Sequence, residues 1–275
     1  MFIPMAVAIA QARVGKLGES VYSGRVLQLL ERAFIAFKSS TWMIVASGFL
    51  EPVLYLLSFG YGIGKLLPSI QVGNETIKYA AFIAPALLAT SAMNGAIYDS
   101  TRNVLFKLNN DRIYHGMLAT SMGPMDVALG EIGWSLIRGF SYACAFMVVI
   151  TPLGLVVSAW GLLAIPAAVL IAFGFASCGM AVTSYMKSFQ QLEIVNMFLL
   201  PMFLFSGSFY PVSVFPQWLQ FTVNLFPLSH AINLVRGLCL GHINMALLGH
   251  ASYFLIMIAV GLFFTTKRLN ALFMK

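Results

Sequence analysis

Few residues of this chain could do chemistry, and those that could sit in unusual places. Glu51 lies inside an apolar run directly before Pro52, and Glu131 and Arg138 lie inside another, seven residues apart. At 3.6 residues per turn, a spacing of seven puts two side chains on nearly the same face of a helix. A charge at the centre of a bilayer costs about 2.5–3.5 kcal/mol even on lenient insertion scales, so each needs a partner or water. Glu51, Glu131 and Arg138 therefore read either as polar groups lining a path through the membrane or as a staple between helices; the sequence leaves both open. Asp99, at the inner end of the second apolar run, reads as structural, because water reaches a helix end and no buried partner is required.

The familiar catalytic constellations are missing. The chain contains no HExxH and no GxSxG. Its four histidines, His115, His230, His242 and His250, are scattered without ligand spacing, and Cys144, Cys178 and Cys239 form no CxxC. The run Gly60-Tyr61-Gly62-Ile63-Gly64-Lys65 looks like a phosphate loop but fails the pattern. Phe59 stands where the first glycine belongs, and Leu66 where Ser or Thr must hold magnesium. The expectation is a chain with no catalytic residue, no metal and no cofactor of its own.

The elements that position the buried charges follow from composition. Of 275 residues, 60% are hydrophobic and 9% are charged, against about 25% charged in a soluble domain. Lipid must cover much of such a surface, and spans of about 20 residues each leave little room for a soluble domain. The sequence predicts an all-α membrane protein of six spans, at 42–63, 79–98, 127–150, 160–183, 192–209 and 246–265. Twelve basic residues flank the side shared by both termini, against Lys65, Lys78 and Arg236 on the other. That asymmetry assigns both termini to the cytoplasm.

Three further segments have their own character. Residues 1–12 are apolar and end near Ala8-Ile9-Ala10, but lack the basic start of a signal peptide; they read as an extension at the cytoplasmic surface. From 19 to 40 the chain is amphipathic, with Leu27, Leu30, Phe34 and Phe37 on one face, which fits a helix resting in the headgroup layer. Residues 1–41 thus form an N-terminal segment, 42–265 one transmembrane domain and 266–275 a tail. Between spans two and three, a short helix at 112–120 carries Arg112, Tyr114, His115, Met117, Leu118 and Thr120. It reads as a docking element for another protein or as a helix in the headgroups, and Asp126 as the N-cap of span three. After span five, the pieces 218–226 and 228–240, bounded by Pro216 and Pro227, are too short to cross. They read as re-entrant or surface helices forming an outer cap.

Three stretches carry a family resemblance. They are Phe49-Leu50-Glu51-Pro52-Val53-Leu54-Tyr55-Leu56-Leu57 with Gly60, Gly62 and Gly64; 79–94 with Ala84-Pro85-Ala86-Leu87-Leu88, continued by Met117-Leu118-Ala119-Thr120; and Phe205-Ser206-Gly207-Ser208-Phe209-Tyr210-Pro211 with Asn224, Pro227-Leu228 and Arg236-Gly237. Across about 20–272 the chain resembles the membrane-spanning subunits of ABC-2 exporters, nearest to the nodulation-factor (lipo-oligosaccharide) and daunorubicin-type permeases. It departs from that pattern where Ser121-Met122 precede Gly123-Pro124.

The resemblance implies a bacterial inner-membrane protein that pairs as a homodimer above two separate ATPase subunits, which hold the ATP and Mg2+. It also makes the amphipathic helix and the 112–120 helix the ATPase contacts. Glu51 and the face of span five from Asn196 to Phe203 are the expected lining of a path for an amphiphilic cargo, such as a lipid-linked saccharide, a glycolipid or a hydrophobic drug. The alternative is a proton-coupled secondary transporter using Glu51 and Glu131, although no internal inverted repeat accompanies it. A lipid-modifying enzyme would need a nucleophile or metal set that the sequence does not offer.

Overall fold

The structure is a computed structural model that describes residues 24–39, 50, 52–72, 75–109, 113–118 and 122–273. Glu51, Arg112, Thr120 and residues 1–12 lie outside the described residues, as do the side chains of Phe37, His115 and Leu118. In chain order the elements are α1 (Val26–Ser39), α2 (residues 52–66), the hairpin strands β1 (Ser69–Val72) and β2 (Glu75–Lys78), and α3 (Tyr79–Leu108). There follow α4 (Ile113–Leu118), α5 (Pro124–Ile150), α6 (Ala159–Thr183), α7 (Phe189–Phe205), α8 (Gln217–Leu225), α9 (Pro227–Leu240) and α10 (Met245–Phe273). Four of these, α3, α5, α6 and α10, are long and apolar enough to cross a membrane.

The core forms around α3. A helix that is apolar on every side must be enclosed on every side, and from Ala81 to Met93 every α3 residue is buried. Its neighbours are α5, α6 and α9, and α10 packs along α6. Small residues make these approaches close, as helix packing in lipid favours. At Gly261 of α10, a Cβ atom would come within 2.6 Å of the Ser177 backbone on α6, so no larger residue fits this crossing without moving a helix.

Two elements stand at the periphery. In α7 only Leu192 and Met202 are buried, while Met197, Phe198 and Leu200 are exposed. The helix extends from Phe189 to Phe205, which at 1.5 Å per residue falls somewhat short of a bilayer core of about 30 Å. The other is α2, whose Leu54, Tyr61 and Leu66 are exposed.

The second predicted span, 79–98, coincides with the α-helix Tyr79–Tyr98, and α3 then continues to Leu108 by way of a π-helical turn, Asp99–Asn103. Likewise α10 runs to Phe273, beyond the expected residue 265. The loop between α2 and α3 folds as an antiparallel hairpin that pairs Ile70 with Ile77 and Val72 with Glu75. The two short pieces after span five are helices, α8 and α9, and α9 buries Leu228, Ala231, Ile232 and Val235.

Asp126 does not cap α5 from the N-cap position. Gly123 holds that place, and the Asp126 carboxylate inside the first turn accepts the Gly123 N–H at 2.9 Å. Its other oxygen accepts the Arg25 N–H at 3.0 Å and so joins the starts of α1 and α5. The face of α1 also differs from the expected one. Leu29, outside the predicted stripe, is the buried anchor, and it fills the hollow left by Gly130, where a Cβ would lie 2.7 Å from Leu29 Cδ2. Of the predicted stripe, Leu30 is half-buried against Gly133 of α5, whereas Leu27 and Phe34 stay exposed.

Candidate functional site

Between α2, α3 and α7 lies a groove of about 870 Å³. Its shape follows from the peripheral helices: α7 and α2 meet through aromatic side chains rather than by close backbone approach. The ring centroids of Phe59 and Phe209 are 4.8 Å apart, those of Phe203 and Phe209 5.2 Å, and those of Tyr55 and Phe203 6.2 Å. Aromatic pairs at these offsets stabilise one another beyond their buried area. Leu199, Leu200 and Leu204 complete the apolar wall, and Thr90, Asn94 and Asn196 supply polar groups. No charged side chain lines it among the described residues. A cavity of this size and chemistry suits a largely apolar body with a few hydrogen-bonding groups.

A smaller cavity of about 210 Å³ shares Asn94, Asn196 and Leu199 with the groove and continues it along α3 to Tyr98, Thr101 and Arg102. The Arg102 guanidinium stands over the Tyr98 ring at 5.4 Å. Together the two cavities follow α3 and α7 toward the end of α3 that carries α4.

Of the expected lining residues, Asn196 and Phe203 are in the groove, and Glu131 and Arg138 are not. Both project from α5 onto α3. Arg138 Nε lies 2.8 Å from Asp99 Oδ2, and Lys107 Nζ lies 2.6 Å from Glu131 Oε2. Asp99 is therefore no exposed helix end: it is 3% accessible, and Asn103 donates to its second oxygen at 2.5 Å. The sequence reading sets Glu131 and Arg138 inside a span, Asp99 at an inner helix end and Lys107 among the cytoplasmic basic residues, but it does not show their pairing. Each pair joins residues of two helices, and nothing in the spacing along one helix names the partner on the other.

Tyr114 is expected at an outward docking surface, and the structure places its side chain fully inside. Its hydroxyl and Glu131 Oε1 are both buried without a well-aligned hydrogen bond, and the phenol lies within electrostatic reach of that carboxylate. Burial first, and the Glu131 charge second, push the phenol well above its ordinary range, so it stays protonated and able to donate. Met117 is half-buried in the same corner, with Arg32 of α1 4.0 Å from its sulfur, whereas Gly116 is exposed. Thus α4 is pinned by Tyr114 and turns Gly116 outward.

Two further constellations escape the sequence reading. Arg236 of α9 donates to Phe82 O at 3.3 Å and to Gly207 O at 2.9 Å, and it covers the Phe82 ring at 3.8 Å. The signal was a lone Arg beside Gly237 in an apolar helix. His230 and His250, twenty residues apart, bring their Nδ1 atoms to 2.7 Å, and Tyr253 stacks on His230 at 4.2 Å. At that distance the imidazoles share one proton. Among the described residues no group of three or more His, Cys, Asp or Glu side chains could hold a metal ion.

Comparison with known proteins agrees with this architecture. The sequence profile of the ABC-2 type transporter matches residues 25–240. Nodulation protein J of Rhizobium leguminosarum bv. trifolii is 30% identical over 240 residues, 87% of this chain and 90% of that protein. Nodulation protein J of Sinorhizobium fredii is 30% identical over 206 residues, covering 74% and 77% respectively. The same-named protein of Rhizobium meliloti is 26% identical over 211 residues, covering 76% and 79%. Long apolar helices, a profile match across most of the chain and full-length relatives together make this an integral membrane protein that belongs to the ABC-2 type transporter family.

Proposed function

We propose that the chain is the membrane-spanning subunit of an ATP-driven exporter that moves an amphiphilic cargo outward from the cytoplasmic side. The observation that carries this reading is the aromatic groove with polar groups at Thr90, Asn94 and Asn196, continuous with a smaller cavity toward α4. A wall that is apolar and uncharged among the described residues suits a lipid-linked saccharide, a glycolipid or a hydrophobic drug better than an ion. The resemblance to nodulation-factor (lipo-oligosaccharide) permeases, with relatives named Nodulation protein J, favours the first of these.

Residues 42–265 form one transmembrane domain in this reading, flanked by the cytoplasmic segments 1–41 and 266–275 of an inner-membrane protein. Its six spans include α2 and α7, and α8 and α9 are re-entrant helices forming the outer cap. Two copies pair with their grooves facing a common path, and the exposed apolar side chains of α7 offer surface for that contact. Two ATPase subunits bind beneath and hold the ATP and Mg2+. They touch α1 and the outward side of α4 at Gly116, and Arg112, His115, Leu118 and Thr120 of the 112–120 segment are proposed as further contacts. ATP shifts the complex between inward and outward access only in so far as it binds one state more tightly.

The test is substitution within the groove. Phe203→Ala removes about 1.5 kcal/mol of aromatic contact, roughly tenfold in affinity for an amphiphile. Export by the assembled complex should fall by a similar factor for Phe203→Ala, and less for Asn196→Ala, with ATPase subunits still bound. Unchanged export by both variants would place the path elsewhere.

A further inference from the structure

Residues 99 and 107 of α3 are eight apart, yet both meet α5, where their partners 138 and 131 are seven apart. In an uninterrupted α-helix, eight residues leave two side chains about 80° apart around the axis, whereas seven leave them about 20° apart. Asp99 and Lys107 could not both face α5 on a regular helix. The π-turn Asp99–Asn103 lies between them and accommodates the extra residue, so that eight positions serve as seven. On its far side the widened turn fits a hollow in α6: a Cβ on Gly179 would lie 2.2 Å from Ser100 Oγ. Next to that contact, Tyr98, Thr101 and Arg102 line the smaller cavity.

The two ion pairs run in opposite senses, acid on α3 in one and base on α3 in the other. A slide that brought one pair's position onto the other would set like charges together. Were the π-turn to close into regular helix, the part of α3 beyond it would rotate by about 100° and carry Lys107 off Glu131. The Glu131 pair is the more accessible of the two, and its carboxylate is also where Tyr114 of α4 reaches.

We propose that the π-turn Asp99–Asn103 and its two flanking ion pairs form a register switch that carries movement of α4 to the groove, with Tyr114 as the positioning residue that acts on it through Glu131. This rests on the reading of α4 as an ATPase contact. Displacing α4 draws the Glu131 carboxylate, held beside the Tyr114 hydroxyl, away from Lys107 and lets the turn close. Thr101 and Arg102, which border the smaller cavity, then change their orientation. The Asp99–Arg138 pair stays closed and serves as the pivot.

The experiment uses the whole complex with its ATPase subunits in lipid nanodiscs. A single reporter cysteine, Leu200→Cys, is placed in a chain whose Cys144, Cys178 and Cys239 are alanine, and its labelling rate by a water-soluble maleimide is measured with and without ATP and Mg2+. The parent should show at least a ~5-fold nucleotide response, the low end of ordinary coupling. Deleting Ser100 leaves 99 and 107 in register on a regular helix, so that variant should keep both ion pairs and assemble but lose the response. Tyr114→Phe should weaken the response, Glu131→Lys should abolish it, and Lys107→Glu with Glu131→Lys should restore it. A full response in the Ser100 deletion or in Glu131→Lys overturns the proposal. Should either fail to assemble, Tyr114→Phe decides alone, and its full response is equally fatal. A parent that does not respond at all sinks the ATP-driven reading itself, and the switch with it.

Discussion

A carboxylate and a guanidinium buried between two helices stabilise each other only while both are present. Asp99 and Arg138 are such a pair, with side chains 2% and 10% accessible at 2.8 Å. Removing one partner leaves the other charged and unsolvated, at a cost of about 3–5 kcal/mol. Arg138→Ala should therefore lower the thermal midpoint of the detergent-solubilised protein by roughly 10 °C, given a few degrees per kcal/mol for chains of this size. The double variant Asp99→Ala, Arg138→Ala should recover most of that loss, because neither charge then remains buried. An unchanged midpoint in Arg138→Ala would show that the pair is not held in solution as it is in the structure.

At the scale of elements, small residues decide which helices meet. Gly130 admits Leu29 of α1 to the surface of α5, and Gly130→Val should push α1 away. Limited proteolysis would then cut near residues 24–39 at least several times faster while α5 stays protected; equal cutting rates would count against this docking. The exposed Gly116 of α4 has nothing within 4 Å of its Cβ position, so Gly116→Trp should leave the fold and membrane insertion intact. If α4 is the ATPase contact, the same substitution should abolish co-purification of the ATPase, and retained binding would exclude that contact.

What the sequence revealed at this scale follows from physical periodicity. The four long apolar helices were legible because twenty apolar residues in a row have few other uses. The short helices after span five were legible from Pro216 and Pro227, which open them. The π-turn in α3 was not, since a single extra residue changes no hydropathy pattern and shows only when partners on α5 are known. The β1–β2 hairpin had a signal, with Ile70 and Val72 alternating before Gly73-Asn74. The site divides in the same way: Asn196 and Phe203 fell on the groove because they share the polar-aromatic face of α7, whereas Tyr114 lies buried beside Glu131, a neighbour distant in sequence that its own segment does not announce.

The whole molecule is a packed body of α3, α5, α6, α9 and α10 with a looser pair, α2 and α7, at its side. That division matches a transporter that must keep one half rigid while the other opens. The chain shows no phosphate loop of its own, so in the proposed reading the energy enters through α1 and α4 from a separate ATPase. The most direct measurement is uptake of a fluorescent short-chain glycolipid into inside-out vesicles holding the permease with either an active or a hydrolysis-deficient ATPase, at constant ATP and with a protonophore present. The account predicts uptake with the active ATPase alone, unaffected by the protonophore. Uptake of equal rate with the deficient ATPase, or its loss on collapsing the proton gradient, would contradict it.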